Sequence, residues 1–204
     1  VFLTWYSTEA LAAALPAGLS NFVLASLFLG TAGYVNTFVA QYVGSGRPER
    51  VGPALWQGGY LAMLSAVIGL LVALLATPIF DLIGHEASVR ANEVVYFRVL
   101  CFGTGPFILS TVLSCFYSGR GRTWSILGVN VAATSFNIFF DYGLIFGHWG
   151  LPELGIAGAA WATNASAVFS SVLFLILLAR PTFRRRFGTY SGWRFDGPLF
   201  RRLV

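Results

Sequence analysis

Lysine is absent from this chain of 204 residues, and all thirteen basic residues are arginine. Without lysine there is no phosphate-binding loop of the G-x-x-x-x-G-K type, which excludes ATP hydrolysis by that route. Charge of either sign is scarce: 10% of residues are charged, against about 25% in a soluble domain. A water-soluble globule is therefore excluded. So is a solvated disordered chain, because 16% of the residues are aromatic. Cysteine is nearly absent too. Cys101 and Cys115 share one apolar stretch and would stand about 21 Å apart along a helix, beyond the roughly 7 Å that a disulfide tolerates. They are expected as small buried thiols. No H-E-x-x-H, G-x-S-x-G or C-x-x-C pattern occurs, so enzyme chemistry has no footing. Met63 is the one methionine, and no charged n-region with a cleavage site precedes an apolar core. The chain is expected to be a fragment of something longer.

What is abundant is apolar sequence: 56% of residues are hydrophobic and the mean hydropathy is +0.72. A helix needs about 20 apolar residues to cross a bilayer. Five stretches qualify, 19–43, 56–80, 94–117, 124–146 and 155–179. Three carry no charge, the third carries only Arg98 and the fourth only Asp141. They are too long for strands and lack sustained period-2 alternation, so helices are predicted. The fold class is an all-α membrane protein, a polytopic helical bundle.

Eleven of the thirteen arginines follow the first, third and fifth stretches, at Arg47 and Arg50, at Arg120 and Arg122, and from Arg180 onward. The opposite side carries Glu9, Asp81, Glu86, Glu93 and Glu153. A net charge of +5 arranged this way points to membrane topology and not to nucleic acid. The positive-inside rule predicts that the loops at Arg47, Arg120 and Arg184 are cytoplasmic. Residues 1–18 are then external, with Val1 to Tyr6 the last turn of an earlier span and a short connector ending near Pro16. Residues 180–204, basic and punctuated by Gly188, Gly192, Gly197 and Pro198, are expected as a cytoplasmic linker toward a missing second half. A Y-x-G-x-G-R motif occurs twice, at Tyr42–Arg47 and Tyr117–Arg122, each at the arginine end of a stretch. Its glycines suit a helix C-terminal stop, and its arginines suit the helix dipole and lipid headgroups.

Asp141 is the one acidic group inside an apolar stretch. A charged carboxylate at a helix centre costs about 2.5–3.5 kcal/mol on insertion scales, so such a residue normally faces a bundle interior or wet cavity and serves function. Asn130, Thr134, Asn137 and Asp141 are spaced i, i+4, i+7 and i+11 and share one helix face. In the next stretch Thr163, Ser166 and Ser170 repeat a helical spacing, which fits helix–helix hydrogen bonding as readily as ligand contact. Tyr34 and Gln41, with Asn36 alongside, mark a polar face of the first stretch, lining a cavity or packing. Gly103-Thr104-Gly105-Pro106 interrupts the third stretch, and Pro106 is the expected helix break, either a structural kink or a moving segment. Arg98 is expected to snorkel, and His85 and His148 to be solvated loop residues.

Four segments carry a family resemblance: S-T-E-A-L-A-A at the start, A-Q-Y-V-G-S-G at 40–46, N-I-F-F-D at 137–141 and P-E-L-G-I-A-G-A-A-W-A-T at 152–163. Together they resemble the amino-terminal lobe of multidrug and toxin extrusion (MATE) transporters, through all five stretches in order. The resemblance implies a twelve-helix transporter of two six-helix lobes that exports organic cations or drugs against H+ or Na+. It implies that Asp141 and Asn137 belong to the cation or proton site, with Thr163 a neighbour, and Na+ at Asp141 the one metal to expect. No other cofactor is implied. The family's first-helix aspartate would fall before Val1, and the carboxyl-terminal lobe, a necessary partner, is missing.

The expected function is secondary active multidrug efflux by alternating access in the bacterial cytoplasmic (inner) membrane, with the lipid bilayer as surroundings. A lipid-linked precursor flippase or polysaccharide exporter of the same superfamily is the alternative; such transporters hold pyrophosphate with cavity arginines, and here only Arg98 enters a span. A non-transporting membrane scaffold is a second alternative, and it leaves Asp141 without a reason to lie in lipid.

Overall fold

A computed structural model describes residues 2–190 and 192–203. The described residues are helical and contain no strand. A short α1 (Phe2–Tyr6) precedes the long α2 (Thr8–Gly44). After a 3-10 turn come α3 (Val51–Leu74), α4 (Ala76–Ile83), α5 (Ala87–Phe102) and α6 (Thr104–Ser118). The chain continues through α7 (Thr123–Phe146), α8 (Ile156–Leu178), α9 (Pro181–Phe187) and α10 (Gly197–Leu203). Four helices are long and apolar enough to cross a membrane, and five spans result when α5 and α6 count as one bent span.

The bundle is apolar inside and out, as a lipid-facing bundle must be. Phe28, Val35, Val39, Phe97, Ile108, Val112 and Phe116 form one buried core between α2, α3, α5 and α6. Leu27, Met63, Leu71, Leu74 and Ile176 point outward with more than half their surface free. Inside lipid the hydrophobic effect does not drive helices together, so small residues and close packing must. Gly158 shows this: a Cβ there would stand 2.4 Å from the Leu144 carbonyl, so α7 and α8 touch backbone to backbone. Phe136 stacks on Phe169 at 4.4 Å, and the Ser166 hydroxyl donates to the Ala133 carbonyl at 2.8 Å across the same pair.

Both Y-x-G-x-G-R motifs form the same helix stop. The Arg47 amide donates to the Tyr42 carbonyl (2.8 Å) and the Arg122 amide to the Tyr117 carbonyl (2.9 Å). Gly46 (φ +72°) and Gly121 (φ +69°) hold the left-handed conformation that this closure requires.

Several boundaries differ from those expected. The connector at 1–18 is not a break: α2 runs straight through Pro16. Proline costs about 3 kcal/mol inside a helix, but Ala10, Ala13 and Ala17 around it are good helix formers and fully buried. Ser7 caps this helix, its hydroxyl accepting from the Ala10 amide at 3.2 Å. The second stretch breaks at Leu75, between α3 and α4. The third bends by 44° at Gly103, not at Pro106. Pro106 lies in the first turn of α6, where its missing N–H leaves no hydrogen bond unmade. The turn yields one residue before Thr104 because Gly103 presses on Asn164 of α8: a Cβ there would stand 1.9 Å from the Asn164 Oδ1.

The segment expected as a linker is instead docked. Phe187, Leu199 and Leu203 are buried in the main core. The Trp56 indole donates to the Thr189 carbonyl (2.8 Å), the Gln57 amide to the Arg194 carbonyl (3.2 Å) and the Tyr60 hydroxyl to the Trp193 carbonyl. Val1 of the first segment and Ser191 and Val204 of this one lie outside the described residues. At the opposite end His85 is not merely solvated: its Nδ1 stands 2.7 Å from the fully buried Glu93. Arg98 does not extend freely either, donating to the Ala73 carbonyl (3.3 Å) and the Thr77 hydroxyl (3.1 Å).

Candidate functional site

Between α2, α5 and α6 on one side and the α7–α8 pair on the other lies a cavity of about 610 Å³. Three of the residues on the α7 polar face, Asn130, Thr134 and Asn137, line it, and α8 adds Thr163 and Ser166. Helical periodicity is the cause. Positions 130, 134 and 137 fall on one side of α7, and the close approach at Gly158 fixes which side faces the cavity. The lining contains no arginine and no carboxylate among the described residues.

Asp141 stands one turn beyond Asn137, about 6 Å further along the axis. Its Oδ1 is buried and has no hydrogen-bond partner. Tyr96 of α5 also lines the cavity. A buried carboxylate oxygen without a donor is costly, because none of its lost hydration is replaced. The arrangement can accept a proton or a cation at Asp141, with the Asn137 side chain one turn away.

Other predicted residues are not brought to this place. Tyr34, Asn36 and Gln41 are absent from the cavity lining and sit nearer the arginine end of α2. Tyr34 packs edge-on against Phe38 at 5.5 Å, Gln41 is exposed, and Asn36 Oδ1 accepts from the Ser118 hydroxyl at 2.7 Å. Of the three, Asn36 alone meets α6, while Tyr34 and Gln41 present exposed surface. The Thr163 hydroxyl donates to the Ala159 carbonyl of its own helix at 3.0 Å, leaving its oxygen free to accept. The described residues contain no cluster of three or more His, Cys, Asp or Glu that could hold a metal ion.

Sequence reasoning passed over four further lining residues: Asn21, Tyr96, Thr104 and Asn164. Asn164 is 7% exposed and donates to the Val99 carbonyl at 2.6 Å, bracing α8 against the free carbonyl end of α5. The Thr104 hydroxyl is buried without a partner. A signal was present, since Asn21 and Asn164 are amides in otherwise apolar stretches and Thr104 sits at the interruption of the third.

A family model described as MatE matches residues 1–143. The chain belongs to the MatE family. The probable multidrug resistance protein NorM of Rhizobium meliloti is 32% identical over 190 residues, covering 91% of this chain and 41% of that protein. NorM of Burkholderia pseudomallei is 34% identical over 187 residues, covering 90% and 40%. Among solved structures, the eukaryotic MATE transporter AtDTX14 superposes with a TM-score of 0.83 at 18% identity, over 99% of this chain and 44% of that one. A multidrug resistance MATE family transporter in an outward-facing conformation gives 0.74 at 20% identity, over 98% and 44%. This MatE chain therefore spans about two-fifths of the length of its relatives. Its helices form part of a multi-pass membrane protein.

Proposed function

We propose that the protein to which this MatE lobe belongs is a secondary active exporter of hydrophobic, often cationic compounds, driven by H+ or Na+. The observation that carries the reading is the buried, unpartnered Oδ1 of Asp141, one helical turn beyond Asn137, which lines a cavity whose lining is uncharged. In one state Asp141 is charged; in the other a proton or Na+ neutralises it. The ion drives the change only through its different affinity for the two states. The cavity volume of about 610 Å³ suits a drug-sized ligand. A wall of amides, hydroxyls and rings, without arginine, favours such a compound over a pyrophosphate-linked lipid. Thr163, within the same cavity, supports the site from α8 through its free acceptor oxygen.

The test is Asp141→Asn in the full-length protein, with export of a fluorescent cationic dye measured in everted vesicles. Export should fall at least tenfold, to the level without a gradient, at unchanged yield. Wild-type export by this variant would remove Asp141 from the mechanism. Imposing a pH gradient and a Na+ gradient separately identifies the coupling ion.

The reading includes an orientation in the bacterial cytoplasmic membrane: Arg47, Arg120 and Arg184 inside, Glu86 and Glu153 outside, supported by the arginine asymmetry. Single cysteines in these loops, on a background without Cys101 and Cys115, can be probed in whole cells with an impermeant thiol reagent. Only the glutamate loops should label; labelling confined to the arginine loops inverts the orientation.

A further inference from the structure

At the arginine end, where α6 stops, α7 starts and α8 passes into α9, there is a second pocket of about 340 Å³. Arg120, Arg122, Arg180 and Arg186 line it together with Tyr117. Among the described residues none of these arginines pairs with a carboxylate; the pairs found there, His85–Glu93 and Arg90–Asp81, lie elsewhere. Four guanidinium groups gathered without a carboxylate repel one another unless an anion joins them.

The pocket is built, not merely basic. Arg120 is held over an aromatic floor, its guanidinium carbon 3.8 Å from the Phe116 ring centre, 4.7 Å from Phe183 and 4.8 Å from Phe187. Its Nε donates to the Phe116 carbonyl at 2.8 Å, which fixes the plane of a guanidinium that lines the pocket. Burial first, and then the neighbouring Arg122 and Arg186, lower the Arg120 guanidinium below its usual range, while Tyr117 opposes them. Tyr117 is 2% exposed, yet its hydroxyl has no hydrogen-bond partner. A buried hydroxyl left unpaired costs about 1–3 kcal/mol, so it points to a ligand acceptor. The pocket sits where the spans emerge, beside Trp124, whose side chain is largely exposed as aromatic residues at a membrane interface are. Ends of spans are where a bilayer places its headgroups.

We propose that this pocket binds a phosphate-bearing anion, either the phosphodiester of an anionic lipid headgroup or free phosphate. Fork-shaped guanidinium donors match phosphate oxygens, and the Tyr117 hydroxyl supplies a further donor from the floor. The site is separate from the cavity at Asn137, and the proposal holds whichever compound the transporter exports.

The full-length protein, purified and placed in phosphatidylcholine nanodiscs, can be titrated with phosphatidylglycerol and bound lipid counted by native mass spectrometry. Each arginine removed should weaken binding about fivefold, the effect of one basic residue near an anionic surface. Arg186→Gln is exposed and tests this without disturbing the core, while Arg120→Gln tests the stacked arginine. Tyr117→Phe, which keeps the ring, should weaken binding about threefold through its lost hydrogen bond. Arg194→Gln, at the same end but outside the pocket, should change nothing. In a second arm inorganic phosphate is added to the phosphatidylcholine nanodiscs and the thermal midpoint followed. A rise that Arg186→Gln abolishes assigns free phosphate; phosphatidylglycerol binding without such a rise assigns the lipid. The proposal is overturned if neither probe distinguishes wild type from Arg186→Gln, or if Arg194→Gln loses as much as Arg186→Gln.

Discussion

The cavity beside Asn137 and the pocket beside Tyr117 are walled by neighbouring parts of α6, α7 and α8, yet present opposite chemistry. The first offers amides, hydroxyls and rings, with one carboxylate, Asp141, a turn beyond its lining. The second offers four arginines and no carboxylate. Depth accounts for the difference. Within the apolar stretch each full charge carries a desolvation cost of several kcal/mol, so a single carboxylate is retained only where it does something. At the helix ends water and headgroups solvate guanidinium at little cost, and arginines accumulate. The same backbone motif ends α2 and α6, and the second borders the arginine pocket. Tyr42 stacks on Phe38 and stays partly exposed, whereas Tyr117 is covered by the aromatic side chains of α9.

The strongest way to break this comparison is to exchange the charges. Asn137→Arg, deep in the cavity, should reduce the yield of folded full-length protein at least tenfold, since arginine at a helix centre costs about 2.5–3.5 kcal/mol. Ser125→Arg, at the arginine pocket, should leave yield within about twofold. Fluorescence-detected gel filtration measures both. Equal tolerance at the two positions would sink the depth argument.

A smaller effect separates a packed wall from an open rim. Gly103→Ala should destabilise by about 1–3 kcal/mol, because the new methyl overlaps Asn164 and overpacking has that cost. On an Asn164→Ala background the same change should cost less, and thermal unfolding of the four proteins gives the coupling. Arg186→Ala, on the rim, should stay within about 0.5 kcal/mol of wild type. Strict additivity of Gly103→Ala and Asn164→Ala would mean that the bend does not rest on this contact.

The smallest effects distinguish an ion site from helix packing. Asn137→Ala should shift the pH or Na+ midpoint of dye efflux while leaving stability nearly unchanged. Thr163→Ala should be milder; interhelical hydrogen bonds in membranes average about 0.6 kcal/mol, and the Thr163 hydroxyl already donates within its own helix. Unchanged midpoints in both variants and in the double variant would assign these residues to packing.

The apolar stretches, the arginine asymmetry and the face shared by Asn130, Thr134 and Asn137 were legible without coordinates. Each depends on composition or on the 3.6-residue period, which are local properties. The paired Tyr–Gly–Gly–Arg helix stops were legible for the same reason, since glycine alone enters the left-handed region freely. The polar face of α2 was legible as a face, but not in its use. Periodicity cannot say whether Asn36 meets a ligand or Ser118, because that depends on how α2 and α6 are rotated against each other.

The same limit applied wherever two distant segments meet. The bend at Gly103 rather than Pro106 follows from Asn164, which is 61 residues away in the chain. The docking of residues 187–190 and 192–203 follows from Trp56, Gln57 and Tyr60 offering side-chain donors to backbone carbonyls there. The four arginines of the second pocket come from a loop, a helix end and α9, and no spacing announces their convergence. The sequence by itself determined that this chain crosses a membrane, which end is basic and which residues share a helix face, because hydropathy, charge and helical period act within one segment. Tertiary structure alone decided which faces meet, where the third span bends and what Tyr117 is left to bind, because those depend on close packing between segments that the chain holds far apart.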